Sequence, residues 1–349
     1  MLDFFFGLFS HDLAIDLGTA NTLVLVKGKG IVVREPSVVA RHRKSKKILA
    51  IGGEAKSMLG KTPKQIEAFR PLKDGVIADF DATEAMLHYY IEKVHEKPNS
   101  FLPSIPRPRV IVGIPSGVTE VERKAVQDAA LSAGARSAYL IEEPMAAALG
   151  AKLPIEDAKG SMIVDIGGGT TEVALISLGG IVINRSIRIA GDEMDEAIIH
   201  HVRMKHSLLM GQQSAEEVKI RIGSVYPVGE DKHIVVRGRD LESGLPKSIK
   251  LSSSEIREAL GNVTHQIIEA INSVVEEIPP ELVSDVFEQG VTLAGGGALI
   301  RGIDKLIAEE TKMPVWVVDN PLDAVVRGAS IALGDPRLLE RVRVSGGLK

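Results

Sequence analysis

The sequence contains no cysteine among its 349 residues, which excludes disulfides, thiol catalysis and cysteine metal sites and fits a reducing cytoplasm. The 42 basic and 46 acidic side chains nearly balance, so no global field recruits nucleic acid or acidic lipid. No apolar run approaches the roughly 18 residues of a transmembrane helix. The chain is long enough to form two or more subdomains.

Two common nucleotide-binding motifs are also missing. Gly60-Lys61-Thr62 looks like the end of a Walker A loop, but that pattern requires Gly at position 55, which is Ala55. No G-x-G-x-x-G sequence occurs either. Neither a P-loop nor a dinucleotide-binding fingerprint is indicated.

An internal repeat is the most informative feature that is present. The segment 16–22 reads DLGTANT and the segment 165–171 reads DIGGGTT. Each follows an apolar run, leads into a second strand-like run and then reaches a glycine pair and a third run, at 28–33 and 179–183. The sequence therefore predicts a duplicated strand–turn–strand unit.

The composition of the two turns points to phosphate binding. Small residues let backbone N–H groups approach a phosphate closely, and an aspartate can hold a metal-bound water. The predicted backbone donors are Gly18, Thr19, Ala20 and Asn21 in the first turn, and Gly167, Gly168, Gly169 and Thr170 in the second. Asp16 and Asp165 are the predicted Mg²⁺ residues, through water. Two such turns facing each other would bind a nucleotide's phosphates from both sides.

Further segments complete a resemblance to a known family. They are 75–80 (GVIADF), 141–148 (IEEPMAAA), 188–195 (RIAGDEMD), 216–219 (EEVK) and 293–298 (LAGGGA). With the two turns, they make the chain resemble the actin-like ATPases, and within these the MreB family of bacterial actins, from about Asp12 to about Asp335. The fold expected from this resemblance is an α/β actin-like fold, in which two duplicated ribonuclease-H-like halves each carry a small inserted subdomain and the nucleotide lies in the cleft between them.

The resemblance also implies a division into subdomains. We expect subdomain IA at 11–31, 76–150 and 318–349, and subdomain IB at 32–75. Subdomain IIA is expected at 151–189 and 252–317, and subdomain IIB at 190–251. Residues 1–10 are expected to form a membrane-binding segment.

The implied cofactors are ATP and Mg²⁺, and the implied activity is a slow Mg²⁺-dependent ATPase coupled to polymerisation. The resemblance assigns Glu143 to positioning the attacking water, with Thr170 assisting, whereas spacing alone leaves the adjacent Glu142 as a competing candidate. Glu216 and Lys219 share a helix face, and the resemblance places this pair at the adenosine. The further residues expected at the nucleotide are Glu217, Val218, Gly295, Gly296, Gly297, Ala298 and Leu299.

Two apolar segments are candidates for membrane contact. The first ten residues hold four of the chain's eight Phe, and the predicted lipid-facing residues are Leu2, Phe4, Phe5, Phe6, Leu8 and Phe9. Packing of this segment against the core is the alternative, and no Lys or Arg precedes Lys27 to attract anionic lipid. Phe101 and Leu102 lie on a proline-rich loop, where packing is again the alternative. The resemblance favours membrane contact for both.

The function implied by the resemblance is structural. We expect filaments built from copies of this chain, cytoplasmic and peripheral at the inner face of the cytoplasmic membrane, that organise cell-wall synthesis and maintain rod shape. The implied partners are membrane proteins of the elongation machinery such as RodZ and MreC, and no nucleic acid. The alternative is an actin-fold phosphotransferase or chaperone-type ATPase that does not polymerise.

Local patterns predict several elements independently. Apolar spacing and capping residues predict helices over Asp81–Lys97, Thr119–Ala133 and about Glu255–Ile278. The basic run at 41–47 is predicted to be a solvated hairpin tip. The histidines His200, His201 and His206 are expected to be solvated helix residues, because they lack metal-site spacing.

Overall fold

The computed structural model describes residues 10–95 and 107–344. Leu2, Phe4, Phe5, Phe6, Leu8, Phe9, Phe101 and Leu102, predicted to contact the membrane, lie outside these described residues. Within the described ranges, no helix is long and apolar enough to cross a membrane.

The described chain alternates strands and helices. The strands are β1 (Leu13–Leu17), β2 (Asn21–Val26), β3 (Gly30–Pro36), β4 (Val39–His42), β5 (Ile48–Ile51), β6 (Ile66–Phe69), β7 (Leu72–Lys73), β8 (Val76–Ile77), β9 (Arg109–Ile114), β10 (Ser137–Glu142), β11 (Ser161–Ile166), β12 (Thr171–Ser177), β13 (Gly180–Ile187), β14 (Leu208–Leu209), β15 (His233–Asp240), β16 (Pro246–Ser252), β17 (Val291–Ala294) and β18 (Val315–Val317). The helices are α1 (Gly53–Met58), α2 (Phe80–His95), α3 (Glu120–Ser132), α4 (Glu143–Gly150), α5 (Gly191–His206), α6 (Gln212–Ile222), α7 (Ser253–Glu276), α8 (Pro280–Gln289), α9 (Ile303–Thr311), α10 (Ala324–Gly334) and α11 (Pro336–Val342).

Two five-stranded sheets repeat one topology. The first has the order β3-β2-β1-β9-β10, and the second has the order β13-β12-β11-β17-β18. In the first sheet β1 pairs antiparallel with β2 and parallel with β9, and in the second β11 pairs parallel with β17. The predicted duplication of a strand–turn–strand unit is confirmed.

The chain divides into two compact units. The first contains the described residues up to Ala158, the hairpin tip Ile176–Val182 and the described residues from Leu322 onward. The second contains Lys159–Leu175 and Ile183–Pro321. Each unit also holds a small three-stranded sheet, with the order β5-β4-β6 in the first and β14-β15-β16 in the second. The first of these sheets lies inside the segment predicted as subdomain IB, and the second lies inside the segment predicted as IIB except for its last residue, Ser252. The subdomain boundaries themselves stay predictions.

Each unit has its own apolar core. In the first unit β1, β2 and β9 contribute fully buried Leu13, Ile15, Val24 and Val112, and α2 covers them with buried apolar residues. In the second unit the long helix α7 buries residues at intervals of three and four, among them Ile256, Leu260, Ile267 and Ile271. This spacing places one apolar stripe of α7 in the core of the second unit.

The predicted helix boundaries agree with the structure where capping signals exist. Thr119 and Glu122 form the predicted capping box of α3, and Ser252 accepts a hydrogen bond from the backbone N–H of Glu255 at the start of α7. The helix predicted from Asp81 begins one residue earlier, because Asp79 accepts the backbone N–H of Ala82. Its last described residue is His95, and the predicted end at Lys97 lies outside the described residues.

The basic hairpin is solvated at its tip, but Arg41 is an exception to the prediction. Residues 43–47 are exposed between β4 and β5, whereas Arg41 is largely buried. Its guanidinium lies 2.6 Å from Glu67 and 2.7 Å from Asp79 and stacks over the ring of Phe69. Two carboxylates supplied by distant segments therefore hold this arginine inside the first unit.

The prediction of solvated histidines is wrong for two of the three. His200 is exposed, but the side chains of His201 and His206 are mostly covered. Their Nε2 atoms lie 3.3 Å and 2.6 Å from the same oxygen of Glu255. These histidines connect the end of α5 to the start of α7.

Candidate functional site

The first predicted phosphate turn joins β1 to β2. Gly18 occupies a position where a Cβ would lie 2.8 Å from the carbonyl oxygen of Asn21, so a side chain would strain the turn. The turn is held from outside by Ser37, whose Oγ donates to the carbonyl oxygen of Gly18 over 2.6 Å. The backbone N–H of Gly75 donates to Thr19 Oγ1 over 3.0 Å. The turn is therefore a supported, close-fitting backbone loop.

Asp16 is the second-to-last residue of β1, just before this loop, and it is only partly accessible to solvent. Burial, together with the negative charge of Asp323, raises the pKa of its carboxyl to about 7. Asp323 is itself held by Arg34 at 2.6 Å and Arg327 at 3.4 Å. A cation beside Asp16 would favour the ionised carboxylate, as expected of a residue that binds the waters of a metal ion.

Glu143 lies at the same edge of the first sheet as Asp16. In the parallel strand register Asp16 is opposite Gly113, and Gly113 is opposite Ile141, two residues before Glu143. Glu143 opens α4, and a Cβ on Gly113 would lie 3.6 Å from its Cγ. That distance is an ordinary van der Waals contact, so Glu143 lies beside the strand end, whereas the tighter neighbour of Gly113 is Val325 at 3.0 Å.

Glu142 is the last residue of β10 and the N-cap residue of α4, where its side chain makes no capping hydrogen bond. Burial raises the pKa of its carboxyl, and the charge of Arg123 opposes this shift. Glu142 and Glu143 are therefore both partly buried at the strand end, in line with the alternative left open by spacing.

The second predicted phosphate turn joins β11 to β12 in the second unit. The backbone N–H of Gly167 donates to the carbonyl oxygen of Thr170 over 2.9 Å, which closes the turn. The first turn of α5 lies behind it: Gly191 N–H donates to Gly167 O over 3.2 Å and Asp192 N–H donates to Gly168 O over 2.8 Å. These bonds fix the carbonyl groups of the turn.

The glycine cluster that follows β17 packs against the end of β11. Gly295 has a φ of 80°, and a Cβ there would overlap the carbonyl oxygen of Ile166 and a carboxyl oxygen of Asp165. A Cβ on Gly297 would overlap the side chain of Ile166. A short 3₁₀ turn over Gly296–Leu299 follows Gly295. Only glycine permits this backbone to lie so close to Asp165.

The predicted adenosine residues lie on α6. Lys219 Nζ is 2.8 Å from Asp195 Oδ1 and donates to the carbonyl oxygen of Gly191 over 2.6 Å. Val218 points into the core, and Glu217 forms an exposed ion pair with Arg221 at 2.8 Å. Within the second unit the structure therefore brings Lys219, the second turn and the glycine cluster into one neighbourhood.

The aspartates that precede the two turns have the chemistry of carboxylates that hold the waters of Mg²⁺. Each predicted phosphate turn is preceded by one aspartate, Asp16 in the first unit and Asp165 in the second. No group of three or more His, Cys, Asp or Glu side chains among residues 10–95 and 107–344 is arranged to hold a metal. Mg²⁺ typically keeps several waters and binds one or two carboxylates together with phosphate oxygens.

Several supporting residues were not predicted from the sequence. Ser37, Gly75, Asp323 and Asp195 each contact a predicted site residue or lie beside one, yet none was itself among the predicted site residues. Ser37 is 19 residues from Gly18 along the chain, and Gly75 is 56 residues from Thr19. Asp323 is 289 residues from its partner Arg34. Only the folded chain brings these residues together.

Comparison with known proteins identifies relatives over almost the full length. The family model described as MreB/Mbl protein matches residues 10–341. The cell shape-determining protein MreB of Escherichia coli K12 is 54% identical over 337 residues, covering 95% of this chain and 96% of that protein. The cell shape-determining protein Mbl of Bacillus subtilis 168 is 46% identical over 338 residues, covering 97% of this chain and 100% of that protein.

Solved structures give the same fold. The crystal structure of MreB5 of Spiroplasma citri bound to AMPPNP superposes with a TM-score of 0.87 at 38% identity, covering 95% of this chain and 97% of that chain. The structure of the MamK double helical filament superposes with a TM-score of 0.77 at 23% identity, covering 93% of this chain and 99% of that chain. At that identity the second likeness establishes the fold alone. The chain therefore has an α/β actin-like fold.

Proposed function

The chain belongs to the MreB/Mbl family, and we propose that it is a filament-forming bacterial actin that binds ATP and organises cell-wall synthesis beneath the cytoplasmic membrane. The observation that carries the proposal is the duplicated phosphate turn, each copy preceded by an aspartate and supported by hydrogen bonds from outside. A structural relative in this family, MreB5 of Spiroplasma citri, has been solved with AMPPNP and with ADP.

ATP binding uses the backbone donors of both turns. A triphosphate is neutralised by N–H groups, by Mg²⁺ and by carboxylates that hold the waters of the metal. Asp16 and Asp165 supply these carboxylates, and Gly295 supplies the close backbone approach that a flat base requires. Lys219 lies beside the second turn and offers a positive charge to the nucleotide.

Hydrolysis is slow and serves assembly. Glu143 orients the attacking water, with Thr170 assisting, because a side chain at a strand end next to the first turn suits in-line attack on the γ-phosphate. The nearly buried position of Thr170 supports a role in which its hydroxyl is held in one orientation. Hydrolysis then weakens the assembling conformation rather than serving metabolism.

Membrane attachment uses the two apolar segments that lie outside the described residues. Their flanking residues meet in the first unit: Arg107 N–H donates to Ser10 Oγ over 2.9 Å, and His11 N–H donates to His95 Nε2 over 3.0 Å. Ser10, His95 and Arg107, which border the two apolar segments along the chain, therefore lie close together, and this supports joint contact with one lipid surface. Membrane proteins of the elongation machinery, such as RodZ and MreC, are the proposed partners on that surface.

The test of this proposal is sedimentation of the purified full chain with Mg-ATP, with Mg-ADP and without nucleotide. Pelleting above a critical concentration with ATP, and filaments by electron microscopy, are expected. Asp165→Ala should lose the ATP-dependent part, whereas Asp157→Ala, which removes an exposed carboxylate of a loop, should retain it. A monomer under all conditions, with lipid present, would favour the non-polymerising phosphotransferase or chaperone-type ATPase.

A further inference from the structure

The ammonium group of Lys219 connects two helices of the second unit. The side chain is only 14% exposed, and its Nζ lies 2.8 Å from Asp195 Oδ1 on α5. The same Nζ donates to the carbonyl oxygen of Gly191 at the start of α5 over 2.6 Å. The ammonium thus holds the first turns of α5 by one ion pair and one hydrogen bond.

The start of α5 is in turn bonded to the second phosphate turn. The N–H groups of Gly191 and Asp192 donate to Gly167 O and Gly168 O over 3.2 Å and 2.8 Å. A Cβ on Gly191 would lie 3.2 Å from Gly167 O and 3.4 Å from Lys219 Nζ, so the three elements are in close contact. A continuous set of polar contacts therefore runs from α6 through Lys219 and Gly191 to the turn.

Asp195 is the buried acidic partner of Lys219 in this series of polar contacts. Its side chain is 1% exposed, and a buried carboxylate is unfavourable unless a cation and hydrogen bonds compensate it. Burial raises the pKa of Asp195 to about 6, while Lys219 opposes the shift and the charges of Glu216 and Asp192 add to it. The ionised form near neutral pH therefore depends on Lys219, and the position of Lys219 depends on that charge.

We propose that Asp195 is a positioning residue for the nucleotide: it holds Lys219, and through Lys219 it fixes the start of α5 against the phosphate turn Gly167–Thr170. This inference rests on the proposed nucleotide binding. Its consequence is that α6, which carries the predicted adenosine residues, is coupled to the phosphate turn. Loss of the charge on Asp195 loosens both contacts without removing any group that touches the nucleotide.

The experiment compares Asp195→Asn with Glu196→Gln, which removes one charge from the next, exposed residue of the same helix. Dissociation constants of Mg-AMPPNP are measured by calorimetry from about pH 8 to about pH 5. At about pH 7.5 Asp195→Asn should bind about fivefold more weakly than wild type, and Glu196→Gln should not differ. The ratio of the dissociation constant of Asp195→Asn to that of the wild type should shrink toward one at low pH, because the carboxyl of Asp195 in the wild type is then protonated. Titration of the nucleotide itself is common to both proteins and cancels in the ratio.

A ratio of these dissociation constants that stays the same at every pH would overturn the inference. Such a result would indicate that the substitution damages packing, because an effect of packing does not depend on whether Asp195 is charged. Normal affinity of Asp195→Asn at about pH 7.5 would overturn it as well. No binding of Mg-AMPPNP by the wild type would instead overturn the proposed function.

A double-mutant cycle tests the route through Lys219. In the Lys219→Gln background, Asp195→Asn should weaken binding little further, whereas independent additive losses would contradict positioning through the lysine. If Asp195→Asn does not fold, Lys219→Gln and wild type are compared over the same pH series. The difference between them should shrink toward low pH, and a constant difference would again overturn the inference.

Discussion

Ser37 Oγ donates a hydrogen bond of 2.6 Å to the carbonyl oxygen of Gly18 and lies 2.8 Å from Thr22 Oγ1. Ser37 is fully buried, so water cannot take the place of its hydroxyl in supporting the first phosphate turn. A serine that follows β3 thus fixes the loop between β1 and β2.

Ser37→Ala should therefore destabilise the chain and weaken ATP binding. The change leaves a buried carbonyl and a buried threonine hydroxyl without their partner, which costs about 1–3 kcal/mol. Thermal unfolding without nucleotide measures the first effect and Mg-ATP titration the second. Ser57→Ala, which removes an exposed hydroxyl bonded to Glu54 O, is the control and should change neither. An unchanged midpoint for Ser37→Ala would contradict the supporting role.

Glu143→Ala should reduce ATP turnover about a hundredfold with little change in ATP affinity, because its charge is needed at the attacking water. Glu142→Ala is the matched comparison, since the neighbouring carboxylate caps no helix N–H group. Single-turnover hydrolysis and calorimetry separate the two effects. A loss confined to Glu142→Ala, with Glu143→Ala near wild type, would reverse the assignment.

Gly328→Ala should destabilise the first unit. A Cβ at this position of α10 would overlap the carbonyl oxygen of Ala146 and lie 2.8 Å from the backbone nitrogen of Gly150 on α4. Forced separation of these helices costs about 1–3 kcal/mol or more, and it also displaces Glu143 at the start of α4. Urea unfolding and ATP turnover should both report the change.

Gly261→Ala is the control for the same substitution in an open position. Gly261 is an exposed residue within α7, where a Cβ would meet nothing within 4 Å. Alanine should stabilise that helix by up to about 1 kcal/mol. If both substitutions had the same effect, the proposed contact between α4 and α10 would not explain the result.

His95→Gln should change how stability depends on pH. His95 is buried, its Nε2 accepts the N–H of His11 and its Nδ1 bonds to Ile91 O. Burial lowers the pKa of His95 below its ordinary 6.5, and the neighbouring charges of His11 and Lys29 lower it further. The neutral ring therefore contributes stability above about pH 6.5, and this contribution is lost as the pH falls.

The measurement is the difference in thermal midpoint between wild type and His95→Gln. The advantage of the wild type should be largest near pH 8 and shrink toward about pH 5. His265→Gln, at an exposed histidine beside Glu269, is the matched control substitution. A wild-type advantage that is independent of pH would contradict the role of the neutral ring.

Deletion of residues 1–9 should abolish binding to liposomes. Burial of several Phe and Leu side chains contributes about 1.5–3 kcal/mol each when complete, although ordering the segment offsets much of it. This deletion retains Ser10 and its bond to Arg107. Binding should depend weakly on anionic lipid, because no Lys or Arg precedes Lys27. Retained co-sedimentation would assign the contact to Phe101 and Leu102, which Phe101→Ser/Leu102→Ser then tests.

The elements that could be predicted from sequence have local signals. The two turns repeat one spacing, Thr119 and Glu122 stand at capping-box distance, and the stripe of α7 repeats at three and four. The capping box and the helical stripe depend on residues that are close along the chain. The repeated turn is recognised because its two copies can be compared within the sequence.

The partners of charged residues could not be predicted in this way. Arg41 lies between Glu67 and Asp79, and His206 binds Glu255, because strands and helices bring distant segments together. Lys219 stands three residues from Glu216, which suggests an ion pair on one helix, but its ammonium binds Asp195 on another. Nothing in the spacing of 195 and 219 indicates that contact.

The discontinuity of the first unit has a consequence for biosynthesis. The helix α10 packs on α4, β1 and β9, yet it is made only after the whole stretch Ile183–Pro321 of the second unit. At about 5–20 residues per second, roughly 10–35 s separate the synthesis of α4 from that of α10. During that time the apolar surface that α10 later covers stays open on the nascent chain. The second unit is therefore expected to fold first, and the first unit lacks its helix α10 until the ribosome has passed Gly334.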